Sequence, residues 1–366
     1  MNHVVLFQRA AVAGITALAL AGVLAAPALA APRPEPVPFS AYTGVERIPE
    51  TTDPAAAQAA ADHWTPEAMR AAVQADGPAA SVQAAAPTGL GPSAIPPVWR
   101  TQPKPATSGR PAAGAPAGPT TTRSAGPAPV AATTHLQAQV ATTPTTGLPT
   151  VGALFFDVGP VHERCTGTVI NTGSRNVIAT AGHCLWNRLT SWLPATVMPT
   201  PVFVPGYHDG QSPYGKWTVK TRYYASAWRN NLNPDYDFGF IVLNDLNGKR
   251  VQDVVGGNAW RTDAGSSNSV EITGYPDNRD QPLQCFTSTQ KYGSYASQLV
   301  FPCDNFHTGV SGSLLMQGFN SPAAGLGTAI ASLGGYQEGG NTDNTSYAVL
   351  WNGSTATLIN SAVNGQ

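Results

Sequence analysis

From Val151 onward the chain is a series of short strand-like runs broken by turn residues, and no other feature restricts the fold as much. The runs are "GALFFDV", "TGTVI", "NVIATA", "TVKTRYYA", "DFGFIVL", "SVEITGY", "GSLLM", "TAIASL" and "SYAVL". Gly, Asn, Pro and Asp punctuate them, the pattern of an all-β sandwich or barrel. Only "STATLINSAV" near the C-terminus reads as a helix. The expected class is all-β, in one unit or two small barrels totalling about 215 residues.

Composition changes near residue 147. All four cysteines and six of the eight tryptophans lie beyond it. Residues 31–146 are dominated by Ala, Pro, Thr and Gly. Such a stretch buries too little apolar surface to offset its chain entropy and reads as flexible. One island in it, "HWTPEAMRAAVQA" (63–75), reads as a helix, with Thr65 as N-cap, Pro66 at the first helical position and Glu67 in the first turn. Trp64, Met69 and Val73 would form its apolar stripe.

Residues 1–30 have the anatomy of a secretory signal peptide. An arginine-bearing start leads into "AVAGITALALAGVLAAPALA", which ends in Ala28-Leu29-Ala30. Gly14, Gly22 and Pro27 break the apolar core, which argues against a membrane anchor. The expected organisation is a signal peptide (1–30), a pro-segment (31–146) and a domain over 147–366, its halves at about 147–250 and 251–366. A net charge of −1 and a charged fraction of 11% lack the basic face of a nucleic-acid binder. No membrane partner is expected once the signal is removed.

An even count of cysteines in an exported chain favours disulfides. Cys165, Cys184, Cys285 and Cys303 allow three pairings, and the sequence alone does not choose among them. The nearest-neighbour scheme, Cys165–Cys184 and Cys285–Cys303, is preferred here. Each bridge would close a loop of about 19 residues, worth about 3 kcal/mol. A zinc site is disfavoured, since no C-x-x-C or H-x-x-x-H occurs, and neither metal nor cofactor is expected.

"HTGVSGSLL" (307–315) sets Ser311 between glycines ahead of an apolar run. A serine hydroxyl needs a base to become nucleophilic. Among His162, His183, His208 and His307, His183 in "VIATAGHCL" stands out, because a bridge at Cys184 would pin its backbone. A carboxylate must then orient the imidazole. "NPDYDFGFIVL" offers Asp235 and Asp237. Asp237, at the mouth of a strand, is preferred, and Asp235 reads as a turn aspartate. The N–H groups of Gly309 and Ser311 would converge beside the Ser311 hydroxyl as an oxyanion site. The α/β-hydrolase elbow G-x-S-x-G is not matched, because Ser313 replaces its second glycine.

The order His183, Asp237, Ser311 is that of the chymotrypsin type. "CTGTVI", "VIATAGHC", "DYDFGFIVL" and "GVSGS" fall in the right order, and over residues 147–366 the chain resembles the trypsin/chymotrypsin-fold serine peptidases, in the bacterial secreted branch that includes the glutamyl endopeptidases. The resemblance implies two six-stranded antiparallel β-barrels with the site in the cleft between them. His183 and Asp237 would come from the first barrel and Ser311 from the second. It also implies Ser332 near the buried aspartate and Leu333 to Gly335, Gly334 included, along a wall that pairs with substrate. Asn305 aligns with the trypsin pocket aspartate, with Asp304 beside it. His307 lies in the same pocket segment, and no histidine follows it. Val310 stands where pancreatic members carry an aspartate, so activation by that ion pair is not expected.

The expected function is that of a secreted serine endopeptidase, a monomer made as a pre-pro-protein, with polypeptide substrates and its own pro-segment as partners. Two other readings compete. One is a non-catalytic binding module that retains the barrel. The other is a surface protein with residues 31–146 as a stalk.

Overall fold

The computed structural model describes residues 44–74, 140–186, 201–306, 308–321, 326–340 and 342–365. The chain divides into two compact units, Met1–Pro38 and Phe39–Gln366, and every described residue lies in the second. The expected signal peptide, most of the expected pro-segment and His307 fall outside the described residues.

The chain enters through β1 (Val45–Pro49), α1 (Pro54–His63) and α2 (Pro66–Gln74). Asp53 caps α1 by accepting from the N–H groups of Ala55 and Ala56. Thr65 caps α2, its Oγ1 accepting from Ala68 N–H at 3.2 Å. Next come β2 (Thr143–Pro144), β3 (Val151–Val158), β4 (Val161–Val169), β5 (Val177–Thr180), β6 (Val202–Pro205), β7 (Trp217–Ala225), α3 (Ser226–Asn231) and β8 (Gly239–Leu243). The second half holds α4 (Val251–Val255), β9 (Ala259–Trp260), β10 (Ser269–Gly274), β11 (Leu283–Ser288), β12 (Gln290–Lys291), β13 (Gln298–Phe301), β14 (Leu314–Ser321), β15 (Leu326–Leu333), β16 (Ser346–Leu350) and α5 (Gly353–Asn364).

The strands form two sheets. The first runs β1-β7-β6-β3-β4-β5-β8, and an added β7–β8 pairing closes six of its seven strands into a barrel. The second, of nine strands, runs β12-β13-β16-β15-β14-β10-β11-β2, with β9 parallel to β15. It curls into a half-barrel, and among the described residues no pairing of its end strands closes it. This is the two-barrel, trypsin-like architecture.

Burial explains why barrel one reads as continuous apolar runs. β8, "GFIVL", and β5, "VIAT", are buried along their whole length. Strands covered on both faces need not alternate. β3 shows how the two faces divide. Leu154 and Phe156 point into the barrel core, while Val151, Ala153 and Phe155 pack outward in a separate cluster with Trp64, Met69 and Ala72. The side-chain period of 2 in a strand requires that split. α5 carries a capping box at Asn352 and Thr355, and it lays Leu358, Ile359 and Ala362 onto the barrel-one core. The end of the second half is thereby strapped to the first.

The N-terminal segment differs from its sequence reading. Residues 44–74 form a strand and two helices on barrel one, where a single helical island was expected. α1, "PAAAQAAADH", buries none of its residues, so it carries no apolar stripe to separate it from its Ala-rich surroundings.

Candidate active site

His183 sits in a tight turn directly after β5. Leu185 N–H and Trp186 N–H both donate to Gly182 O, at 2.9 and 3.0 Å. Cys184 is bonded to Cys165 on β4, with a Cα–Cα separation of 6.2 Å, so the backbone beside the imidazole is covalently fixed to the neighbouring strand. The second bridge joins Cys285 and Cys303 and braces the segment that leads to Ser311.

Asp237 ends a short 3-10 turn, Pro234–Tyr236, just before β8. It is fully buried, and it accepts three hydrogen bonds. His183 N–H donates to Oδ1 at 2.7 Å. His183 Nδ1 and Gly335 N–H meet Oδ2 at 2.8 and 2.7 Å. A carboxylate in that setting fixes both the position of the ring and its tautomer. Gly182 leaves room for it, since a Cβ there would stand 3.0 Å from Asp237 Oδ1. Asp235, the alternative carboxylate, faces elsewhere. It accepts from Ala296 N–H and Ser297 N–H and braces a loop of the second sheet.

Ser311 is held against the His183 turn. Its carbonyl accepts from Thr166 N–H at 2.8 Å and lies 3.8 Å from Cys184 Sγ. The turn needs glycine on both sides. Gly309 has φ +93, and a Cβ there would lie 2.5 Å from Tyr275 O. Gly312 has φ +87, and its Cβ would lie 2.2 Å from Thr180 Oγ1. An L side chain is excluded at both by conformation and by space. Ser313 N–H and Oγ both donate to Val310 O, closing the turn from inside.

Thr166 is the residue tying the serine turn to barrel one that the sequence reading missed. It is fully buried next to Cys165. Its Oγ1 donates to Gly309 O at 3.0 Å and accepts from Tyr275 N–H at 2.9 Å. Its carbonyl accepts from Thr180 Oγ1 at 2.8 Å. One barrel-one threonine therefore clamps both ends of the Gly309–Ser311 turn. The signal lay in "CTGTVI", where a small hydroxyl residue follows the bridge cysteine.

Ser332 is fully buried, and its Oγ accepts from Trp351 Nε1 at 3.2 Å. The end of the same wall meets Asp237 through Gly335 N–H. Both backbone groups of Leu333 are tied to the serine turn, through Gly312 N–H and Ser313 O. Gly334 N–H donates to Tyr347 O at 3.1 Å. Asn305 is exposed, in a left-handed turn conformation. Val310 is buried.

Three further histidines serve other ends. His162 meets buried Asp157 at 2.5 Å, and His63 meets the other oxygen of Asp157 at 2.8 Å. His208 meets the Gly206 carbonyl at 2.9 Å.

No family model matches the chain. In solved structures the fold recurs in the protease Anisep from Arthrobacter nicotinovorans, with 29% identity and a TM-score of 0.53, covering 61% of this chain and 99% of that one. It also recurs in the thermostable serine protease AL20 from an extremophilic microorganism, with 23% identity and a TM-score of 0.53, covering 61% of this chain and 100% of that one. Among curated sequences, an extracellular metalloprotease of Bacillus subtilis (strain 168) is 31% identical over 115 residues, which is 31% of this chain. The match spans about a third of that relative's length. The fold of this chain is trypsin-like.

Proposed function

We propose that this trypsin-like chain is an exported serine endopeptidase with His183 as base and acid, Asp237 as orienter and Ser311 as nucleophile. The observation that carries the reading is the buried Asp237–His183 pair beside a serine turn that Thr166 ties to β4, the strand to which the His183 turn is itself bridged through Cys184. In the reaction His183 Nε2 takes the Ser311 proton as Oγ attacks the scissile carbonyl. Asp237 holds the Nδ1 proton and stabilises the imidazolium. The tetrahedral oxyanion is met by the N–H groups of Gly309 and Ser311, a contribution of about 3–4 kcal/mol per donor in such sites. The imidazolium then protonates the leaving amine. Water attacks the acyl-enzyme by the same route in reverse.

The two disulfides suit an oxidising compartment. Among the described residues no helix is long and apolar enough to cross a membrane. We assign residues 1–30 to export and peptide cleavage to the 147–366 domain.

A fluorophosphonate probe tests the assignment. A covalent adduct on Ser311, lost in Ser311→Ala and retained under chelator, is the expected result. No adduct on a folded protein, beside a labelled control hydrolase, would leave the reading as a non-catalytic binding protein. Turnover that chelator abolishes and Ser311→Ala preserves would instead support the metal-dependent chemistry named for the Bacillus relative.

A further inference from the structure

Residues 44–74 precede the stretch that carries the peptidase motifs, yet they are built into barrel one. β1 extends the sheet along β7, in register from Val45↔Ala225 to Pro49↔Thr221. Trp64, Met69 and Ala72 are buried on the outer face of β3, where the Trp64 and Phe155 rings lie 5.2 Å apart. Polar ties surround this contact. Glu46 binds Arg229 at 2.6 Å and accepts from Ser226 Oγ at 2.7 Å. His63 reaches Asp157, Lys216 Nζ donates to Trp64 O at 3.1 Å, and Arg70 donates to Asp209 O at 3.1 Å.

One tie runs on toward the catalytic turn. Glu50 forms an ion pair with Arg222, whose side chain is only 4% exposed. Arg222 Nη1 donates to the Leu185 carbonyl at 3.0 Å. Leu185 lies two residues after His183, inside the turn closed on Gly182. A buried guanidinium stripped of its counter-charge is strongly disfavoured and would move toward water. It would then leave the Leu185 carbonyl.

We propose that residues 44–74 are retained in the working enzyme and that Glu50 is a positioning residue, which through Arg222 holds the turn carrying His183. The positioning role rests on the serine-peptidase reading; retention of the segment does not. Among the described residues, these ties fall on β3, β4 and β7, on α3 and on the turns near 209, 216, 244 and 280, and none of the segment's hydrogen bonds or ion pairs ends on Asp237, Ser311 or the 332–335 wall. The segment is therefore a scaffold rather than a plug. Its loss would uncover Phe155 and Tyr207 and remove a partner from each of two buried charges, Arg222 and Asp157. Burial raises the Glu50 carboxyl above its usual range while Arg222 pulls it back, as for a pair enclosed between segment and barrel.

The test uses the full chain with a foreign protease site inserted between residues 75 and 139. After cutting, the piece containing 44–74 is expected to co-elute with the 140–366 piece on gel filtration, with probe labelling of Ser311 unchanged. Glu50→Gln is expected to lower kcat about tenfold with KM within twofold, since modest displacement of a catalytic group costs that much or more. Glu46→Gln weakens docking without touching Arg222 and is expected to keep kcat within twofold. Should Glu50→Gln fail to fold, Arg222→Lys replaces it, because one ammonium cannot serve both Glu50 and the Leu185 carbonyl. Separation of the 44–74 piece from a fully active remainder overturns retention. Unchanged kcat in Glu50→Gln, or an equal loss in Glu46→Gln, overturns positioning. If the uncut parent takes no probe, the peptidase reading and the positioning role fall together, and co-elution still decides retention.

Discussion

Asp237→Asn isolates the group on which the site geometry depends. Three donors end on this carboxylate: His183 N–H and Gly335 N–H at 2.7 Å each, and His183 Nδ1 at 2.8 Å. Asparagine keeps one acceptor oxygen and puts an NH2 group where the other oxygen was. With its oxygen opposite His183 N–H, the NH2 faces both the imidazole and Gly335 N–H. The ring can relieve its part of the clash only by moving its proton to Nε2, which removes the lone pair that the proposed attack by Ser311 requires. Turning the amide over transfers the conflict to His183 N–H, and the charge that stabilises the imidazolium is still lost. Either way one buried N–H is left facing a donor, which costs about 1–3 kcal/mol of stability. The expected fall in kcat/KM is about 10⁴-fold, as for loss of the orienting carboxylate in such triads. That corresponds to about 5.5 kcal/mol of barrier. The assay is kcat/KM across pH 6–9 on a peptide substrate, with urea unfolding measured in parallel. Activity within tenfold of the parent, on a protein no less stable, would refute the reasoning.

Replacing Cys165 and Cys184 together by serine opens a loop with a sequence separation of 19. The chain-entropy estimate is about 3 kcal/mol. Calorimetry should find a lower Tm, and probe labelling should slow even at temperatures where the fold survives, because Cys184 pins the His183 turn. Glu271 lies in β10, where burial lifts its carboxyl from an ordinary 4.5 to about 7 against a hydrogen bond from Gln284. The folded state thus holds this proton more tightly than the unfolded chain. Its contribution is fully present below 4.5 and is lost as pH rises through 7. Glu271→Gln should therefore be more stable than the parent at pH 8 by about 1–2 kcal/mol, after allowance for solvent contact, and nearly equal at pH 4. Urea midpoints at the two pH values check this, and a variant less stable at pH 8 would sink it.

Much of this protein is legible in its residues because the relevant signals are local. Strand runs, the paired-glycine turn around Ser311, the capped helix at Pro66 and the strand end that carries His183 are properties of a few consecutive side chains and their backbone preferences. From these the sequence by itself determined the all-β class, the second half's short helix and a short list of groups able to do chemistry. It did not choose between Asp235 and Asp237 on any local ground stronger than position in a turn. Both carboxylates accept backbone N–H groups, and only the packing of the 3-10 turn against Gly182 aims Asp237 at His183 and Asp235 at the 296–297 loop.

The tertiary structure alone decided what depends on partners far apart in the chain. Thr166 is unremarkable until β4 comes beside the serine turn 145 residues later. Gly335 reaches Asp237 only because β15 ends against barrel one, which leaves Ser332 to Trp351. α1 buries nothing of its own, so no periodicity betrays it, and β1 finds its register only against β7. The physical reason is the same in each case. A hydrogen bond or a buried charge pair has its value from the low-dielectric place where its two halves meet, and that place exists only once the barrel has closed.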